Sequence, residues 1–538
     1  MQITRGLVVL AWLAGSAGAH AAAINLANFD ADDGTVLIND TNDFSRFMTV
    51  AAGSVGDING DGVADYAHAG NNFIVFDGDN EVFVVFGNPS GFPPQFNLSS
   101  IDGNNGFRIT DRTGDLLQAW ISAGPAGDVN GDGIDDLVLT ARDDQDFPTR
   151  LVGAVILGRS TPFPLTLDIS DLDGSNGFLL SDPEAPTSTP AAPQAANRAP
   201  DLNCDGIRDL VLGFPEVGAG GEVRVLFGGQ FTITANVALT GFNGSNGMRI
   251  VAPGGGSDFG FASANLGDFN GDACDDLAIG DANATVAVAD ASGRVSIVFG
   301  APNLPAFLDA GALDGNNGMN IESGPPDWAI DALGTDVVGG DFDGDGLADL
   351  LAGAPGGTAV GNDLQEGGAI IVSGASVNPA VLNVRFTGGG RVSATRGFFS
   401  MGTSSNPGLV AAFVTTGDFN GDGIDDAGFA ANSESPSPDR PNAGVVYVVF
   451  GQAGGLPDQI ALDTLVFNDN LGFVVTGAQS FDEIGLVLNA GDFNNDGSDE
   501  LAIGGNVAND FPAGSQNGAV FWINGTANDG VFADGFEG

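Results

Sequence analysis

Short apolar runs closed by glycine recur along the whole chain. "VFVVFG" from Val82, "GAVILG" from Gly153, "EVRVLFG" from Glu222, "GRVSIVFG" from Gly293, "GAIIVSG" from Gly368, "GVVYVVFG" from Gly444 and "GAVFWING" from Gly518 form the most regular set. A second set precedes them: "LVLTA" from Leu137, "LVLGF" from Leu210, "LAIGD" from Leu277, "LLAGA" from Leu350 and "LAIGG" from Leu501. A third follows, with "NGFRI", "NGFLL", "NGMRI", "NGMNI" and "LGFVV", and stretches such as "FGFASANLG" at 259–267 supply a fourth. Runs of about six β-branched, aliphatic and aromatic residues between glycines predict buried strands. No segment holds the period of a long amphipathic helix, so the pattern predicts an all-β chain with four strands per repeated unit.

An acidic nonapeptide stands ahead of each second-set run. The first, "DINGDGVAD" at 57–65, returns as "DVNGDGIDD" from Asp128, "DLNCDGIRD" from Asp201, "DFNGDACDD" from Asp268, "DFDGDGLAD" from Asp341, "DFNGDGIDD" from Asp418 and "DFNNDGSDE" from Asp492. Positions 1, 3, 5 and 9 carry side-chain oxygen, and position 6 is glycine in six copies. A hard divalent cation such as calcium takes about six to eight oxygens, and alternating acids can turn several of them inward, with one more from the position 7 carbonyl. The candidate ligands are Asp57, Asn59, Asp61, Val63 and Asp65 in the first loop, and Asp128, Asn130, Asp132, Ile134 and Asp136 in the second. The third has Asp201, Asn203, Asp205, Ile207 and Asp209, and the fourth Asp268, Asn270, Asp272, Cys274 and Asp276. The fifth has Asp341, Asp343, Asp345, Leu347 and Asp349; the sixth Asp418, Asn420, Asp422, Ile424 and Asp426; the seventh Asp492, Asn494, Asp496, Ser498 and Glu500. An ordinary Asx turn uses the same residue types but has no need of a fixed ninth acid. Seven copies that all keep one point to metal.

Self-similarity at an interval of 67 to 77 residues marks an array of identical units. A chain of 538 residues also exceeds one ordinary core. An open sheet of that size would expose long edges, whereas radial repetition of four-stranded blades leaves only short ones. The expected fold is therefore a seven-bladed β-propeller of four-stranded antiparallel blades over residues 24–525. The seventh unit stops after "GAVFWING", and "INLANFDADDGTVLI" at 24–38 resembles "FNLSSIDGNNGFRI" at 96–109. The N-terminal strand is thus expected to complete the last blade and close the ring. In the third unit "PEAPTSTPAAPQAANRAP", from Pro183 to Pro200, predicts a short or irregular inner strand, because proline cannot donate to a ladder.

"DFGFASANLGDFNGDACDDLAIGD" (258–281) and "ALGTDVVGGDFDGDGLADLLAGAP" (332–355) resemble FG-GAP repeats, the units of the integrin α-subunit propeller. Phe259-Gly260 matches the "FG" and Gly353-Ala354-Pro355 the "GAP"; Ala273 and Asn495 depart from the usual loop glycines. The resemblance implies up to seven structural calcium ions in loops joining strands one and two, all on one face. It also implies a protein or glycan ligand on the opposite face, which carries the loops from strand four to the next blade and those between strands two and three. Here the latter are "DANATVAVADASG" (281–293), "GGTAVGNDLQEGG" (356–368), "NSESPSPDRPNAG" (432–444) and "NVANDFPAGSQNG" (506–518), polar and unlike one another.

The 69 acids against 16 bases give a formal charge of −53, which argues against nucleic acid or an anionic membrane surface as partner. Arg5, the apolar run Gly6 to Leu13 and the small residues before "AHA" predict a signal peptide over 1–21, and no later run is long enough to span a bilayer. The chain is therefore expected to be secreted or held at the cell surface, with 526–538 as a short acidic tail. Cys204 and Cys274 lie in the third and fourth loops, where a bridge and two free thiols are both open. His68 is the only histidine after His20, so histidine-based nucleophilic or zinc chemistry is not expected. Two function classes follow: a calcium-stabilised adhesion or ligand-binding module, and an extracellular polysaccharide lyase or hydrolase using paired carboxylates. Four Trp and two Tyr leave little for an extended aromatic sugar platform, which favours binding over catalysis.

Overall fold

The computed structural model describes residues 23–26, 29, 33–38, 48–71, 81–112, 122–140, 151–182, 194–196, 198–215, 217–218, 220–254, 258–286, 293–323, 332–355, 367–384, 386–387, 391–392, 398–401, 413–457, 459–461, 471–505 and 519–525. Residues 1–21 and 526–538 lie outside them, as do 287–292, 356–366 and 506–518 of the loops at 281–293, 356–368 and 506–518.

In the first blade Met48–Gly56, Asp65–Asn71, Glu81–Val85 and Gly106–Thr110 run antiparallel in chain order. Six more sheets repeat this order, making a seven-bladed propeller. The second and third strands are buried along their length, as in Leu210–Phe214 and Glu222–Leu226, which explains their unbroken apolar runs. The inner strands line the axis, and Val487–Gly491 of the last blade lies against Met48–Gly56 of the first. As expected from its prolines, the third blade has an inner strand of only two residues, Gln194–Ala195.

The sheet of each blade holds the four antiparallel strands that the pattern predicts and a short fifth beside them. The fifth is a three- or four-residue segment, such as Thr166–Asp168, paired in parallel with the fourth strand of the preceding blade. It comes from the connection between the third and fourth strands of its own blade, so every blade reaches back and covers its neighbour's open edge. Such a segment is too short to show a period, yet it pairs edge groups that would otherwise be left to solvent or to another chain.

The same device closes the ring. Gly34–Ile38 is the fourth strand of the last blade, antiparallel to Ala519–Ile523, and its edge is covered by Gln95–Asn97 of the first blade. Ala23–Asn25 is the fifth strand of the sixth blade, on Gly472–Thr476. The equivalence of 24–38 with 96–109 is thus a structural one.

Seven apolar cores fill the seams between neighbouring blades. In the first seam Val55, Val84 and Phe107 meet Leu137, Leu139 and Ile156. At the closing seam Trp522 packs edge-on to Tyr66 (centroids 5.0 Å apart) and stacks on Phe493 (4.8 Å), all three buried. Large aromatic rings suit this seam because each buries about 150–250 Å². The "FG" residues serve the seams too. Phe259, Leu333 and Ile484 are fully buried, and Gly260 and Gly334 lie so close to Gly213 and Gly280 of the preceding blade that a Cβ on Gly213 or Gly280 would overlap their carbonyls.

Candidate metal centre

Every nonapeptide joins the first strand of its blade to the second, so all seven loops lie on one face. Because the strands are antiparallel, the connections between strands two and three leave from the opposite face. Within each loop the acids first organise the backbone. Asp57 accepts the N–H of Asp61 on one carboxylate oxygen (3.0 Å) and that of Gly62 on the other (2.7 Å). The first Asp of the other six copies does the same. The acid at position 5 accepts the N–H of position 7 in all seven.

The ninth acid has a second reason to recur, one that spacing alone does not show. It is buried beneath the loop and accepts the N–H of position 2 in every copy. In six copies it also accepts the N–H of a glycine just past the third strand, as Asp65 does from Gly87 (2.8 Å). It therefore ties the loop to the blade. Burial pushes Asp65, Asp136, Asp276 and Glu500 up to about 8 and Asp349 to about 7, with the neighbouring loop acids adding to the rise and the N–H donors opposing it. Asp209 and Asp426 are raised well above the usual range, again mainly by burial.

The fifth loop shows the fit to a cation most directly. Asp341, Asp343 and Asp345 each bring one carboxylate oxygen within 4.8 Å of the others, an all-oxygen set that can hold a metal ion. A carboxylate has about four lone-pair positions, so bonds to backbone N–H leave room for a ligating one. Asp349 is not in that group of three; it lies beneath it. In the second, third, sixth and seventh loops the amide oxygens of Asn130, Asn203, Asn420 and Asn494 accept the position 5 N–H just as Asp343 does. They occupy the same place in the loop.

Positions 4 and 6 require left-handed backbone. Glycine supplies it at most of them, but Cys204 (φ 59°), Asn495 (58°) and Ala273 (72°) adopt it with a Cβ. The fourth and seventh loops thus keep the common path despite their substitutions. For alanine this conformation costs about 1–2 kcal/mol. Ala273→Gly is therefore expected to stabilise the chain by about 1 kcal/mol in denaturant titrations, and an unchanged or lower midpoint would refute the strain.

In the first, second, fourth and fifth loops position 4 also meets position 7 of the next loop. Gly60 lies beside Ile134, Gly131 beside Ile207, Gly271 beside Leu347 and Gly344 beside Ile424. At the seam of blades three and four those two places are Cys204 and Cys274, and they form a disulfide with Cα atoms 5.3 Å apart. Of the two states open from the sequence, the structure has the bridge.

Sequence reasoning missed the acid at position 8. Asp135 accepts the N–H of Asp57 (3.1 Å), Asp275 that of Asp201 (3.0 Å), Asp425 that of Asp341 (2.8 Å) and Asp499 that of Asp418 (3.0 Å), each across a blade boundary. The doublets at 135–136, 275–276, 425–426 and 499–500 were the visible signal. Two of these acids line an axial cavity of about 440 Å³ together with Arg198 and Arg208. Arg208 stands 3.6 Å from Asp135. Burial raises Asp425 and Asp499, and Arg198 partly offsets it. His68 is buried in the second strand of the first blade, and burial pushes it down to about 3.

Residues 333–373 match the family model described as FG-GAP repeat. The match spans the fifth inner strand, its three-Asp loop and the next two strands. No match to the chain was found among curated proteins. Together with the seven blades, the family match fits an FG-GAP propeller resembling the integrin α N-terminal domain.

Proposed function

We propose that the chain is a secreted or surface-displayed, calcium-stabilised module for ligand binding of the adhesion type, with recognition on the face opposite the metal loops. The observation that carries the reading is the Asp341, Asp343 and Asp345 cluster inside a loop framework repeated on one face of the ring. Bound there, calcium supplies charge neutralisation and cross-linking among loop oxygens. The loop residues themselves hold the backbone in register and tie it to the blades. Export is supported by the composition of residues 1–21 and by a disulfide, which persists in oxidising compartments. Among the described residues no helix is long and apolar enough to cross a membrane.

The reading assigns recognition rather than catalysis. Support comes from the burial of His68 and from the loop at 432–444, a built surface on the opposite face. There Arg440 donates to the carbonyl of Gly477 (2.7 Å) and to Asn25 Oδ1 (3.2 Å), and Tyr447 donates its hydroxyl to buried Glu434. The test is retention of chain-coated beads on immobilised matrix proteins and polysaccharides in calcium. Replacing 433–442 with a short Gly-Ser turn is expected to weaken retention at least about tenfold while bound metal is unchanged. Equal retention by the variant, or no retention on any surface, would overturn the proposal.

A further inference from the structure

A cavity of about 600 Å³ lies beside the first metal loop, away from the recognition face proposed above. It is bounded by Asp61 of the loop and by the connection from Gly87 to Asn105 that leads into the fourth strand. Phe92 forms an apolar wall, partly exposed and held by edge contacts with Trp522 (centroids 4.8 Å apart) and Phe96 (6.1 Å). Since Trp522 and Phe96 are buried, that ring is fixed by the core.

The rest of the lining is mostly amide and carboxylate. Gln95 donates its amide to Asn97 Oδ1 (2.7 Å), and among the described residues no bond is made to Gln95 Oε1 or by the Asn97 amide. Asp102 Oδ1 accepts the backbone N–H of Asn104 (2.9 Å) and its side-chain amide (3.3 Å), leaving Asp102 Oδ2 and Asn104 Oδ1. Asp61 gives one oxygen to the N–H of Val63 and keeps the other for the metal of its loop, so it bounds the cavity without binding in it. In the third blade the matching acid is already engaged, because Gln230 donates to Asp205 (3.1 Å).

We propose that this cavity binds a neutral sugar residue of a glycan. A sugar hydroxyl donates and accepts at once, so neighbouring hydroxyls pair with a planar amide or carboxylate edge. The C–H face of the ring suits a fixed aromatic wall. The volume is within the range of about 300–1,000 Å³ typical of small-ligand sites. Asp102 at its mouth, on a chain of charge −53, acts against uronates and sulfated sugars. The site stands on the loop face and is independent of recognition on the other.

The test is calorimetric titration of the intact chain in calcium with maltotriose, cellotriose, mannotriose and trigalacturonate. At least one neutral trisaccharide is expected to bind with a Kd of about 1 mM or tighter, and trigalacturonate not to bind. Gln95→Ala and Asn104→Ala, both at exposed positions, are each expected to weaken binding about tenfold with the unfolding temperature unchanged. Phe481→Ala, at an exposed ring on the opposite face, is expected to leave it as it was. Absence of neutral-sugar binding, equal binding by the two lining variants, or preference for trigalacturonate would overturn the site. Bead retention on matrix proteins is unaffected by that outcome, so the two readings fail separately.

Discussion

Millimolar calcium is expected to raise the unfolding temperature of the purified chain by roughly 10 °C over chelator, with five to seven ions bound per chain by mass spectrometry. If each loop binds with a Kd of roughly 0.1 mM, about 1 mM calcium stabilises the fold by about 1.4 kcal/mol per loop, or on the order of 10 kcal/mol for seven. A folded chain of this length has an unfolding entropy of about 1 kcal/mol per kelvin, which converts that gain into roughly 10 °C. The pH dependence carries its own sign. Burial raises all seven ninth acids, five of them (Asp65, Asp136, Asp276, Asp349 and Glu500) to about 7 or 8, so in the calcium-free chain the contribution of those five is present in full below about pH 4 and lost as pH rises past about 8. The calcium-free chain should therefore unfold at a lower temperature at pH 8 than at pH 5. Calcium binds the ionised loops, so the calcium-induced rise should be larger at pH 8. No shift and no bound metal would reduce the nonapeptides to hydrogen-bonded turns, a role their backbone bonds already allow.

Removing the disulfide is the second large effect. Cys204 and Cys274 close a loop of 70 residues, for which chain entropy gives about 4 kcal/mol, near the top of the usual range of about 2–4 kcal/mol. The bridge lies beside the blade with the shortest inner strand, Gln194–Ala195, so the loss should fall first on one seam. The double variant Cys204→Ser, Cys274→Ser is expected to lower stability by about 3 kcal/mol. Amide exchange should rise selectively in Leu210–Phe214 and Asp276–Asp281, the second strands on either side. Unchanged exchange there, or loosening spread evenly over seven blades, would show that the bridge does not guard this seam.

Much of the fold was legible because its chemistry is local and repeated. Buried strands write themselves as apolar runs, and a loop that must place oxygens and left-handed turns at set positions can vary little. The likeness of 24–38 to 96–109 revealed the closure because equivalent strands meet equivalent neighbours. The fifth strands were not legible. Segments such as Thr166–Asp168 or Gln95–Asn97 owe their pairing to another blade's edge, which has no trace in their own three residues. The position 8 acids stood in plain view as doublets, but what they do depends on the N–H of a loop about 80 residues away.

By itself the sequence determined an all-β ring of seven blades, its point of closure, the weak third blade and seven oxygen-lined loops, since each follows from local periodicity or from the stereochemistry of one turn. Only the tertiary structure decided that Cys204 meets Cys274, that the ninth acid is a buried anchor under a three-acid cluster, and that each blade covers its neighbour's edge. The disulfide and the covered edges are contacts between blades. They depend on how one repeat is rotated against the next, a quantity set by packing across the seam and by no residue alone.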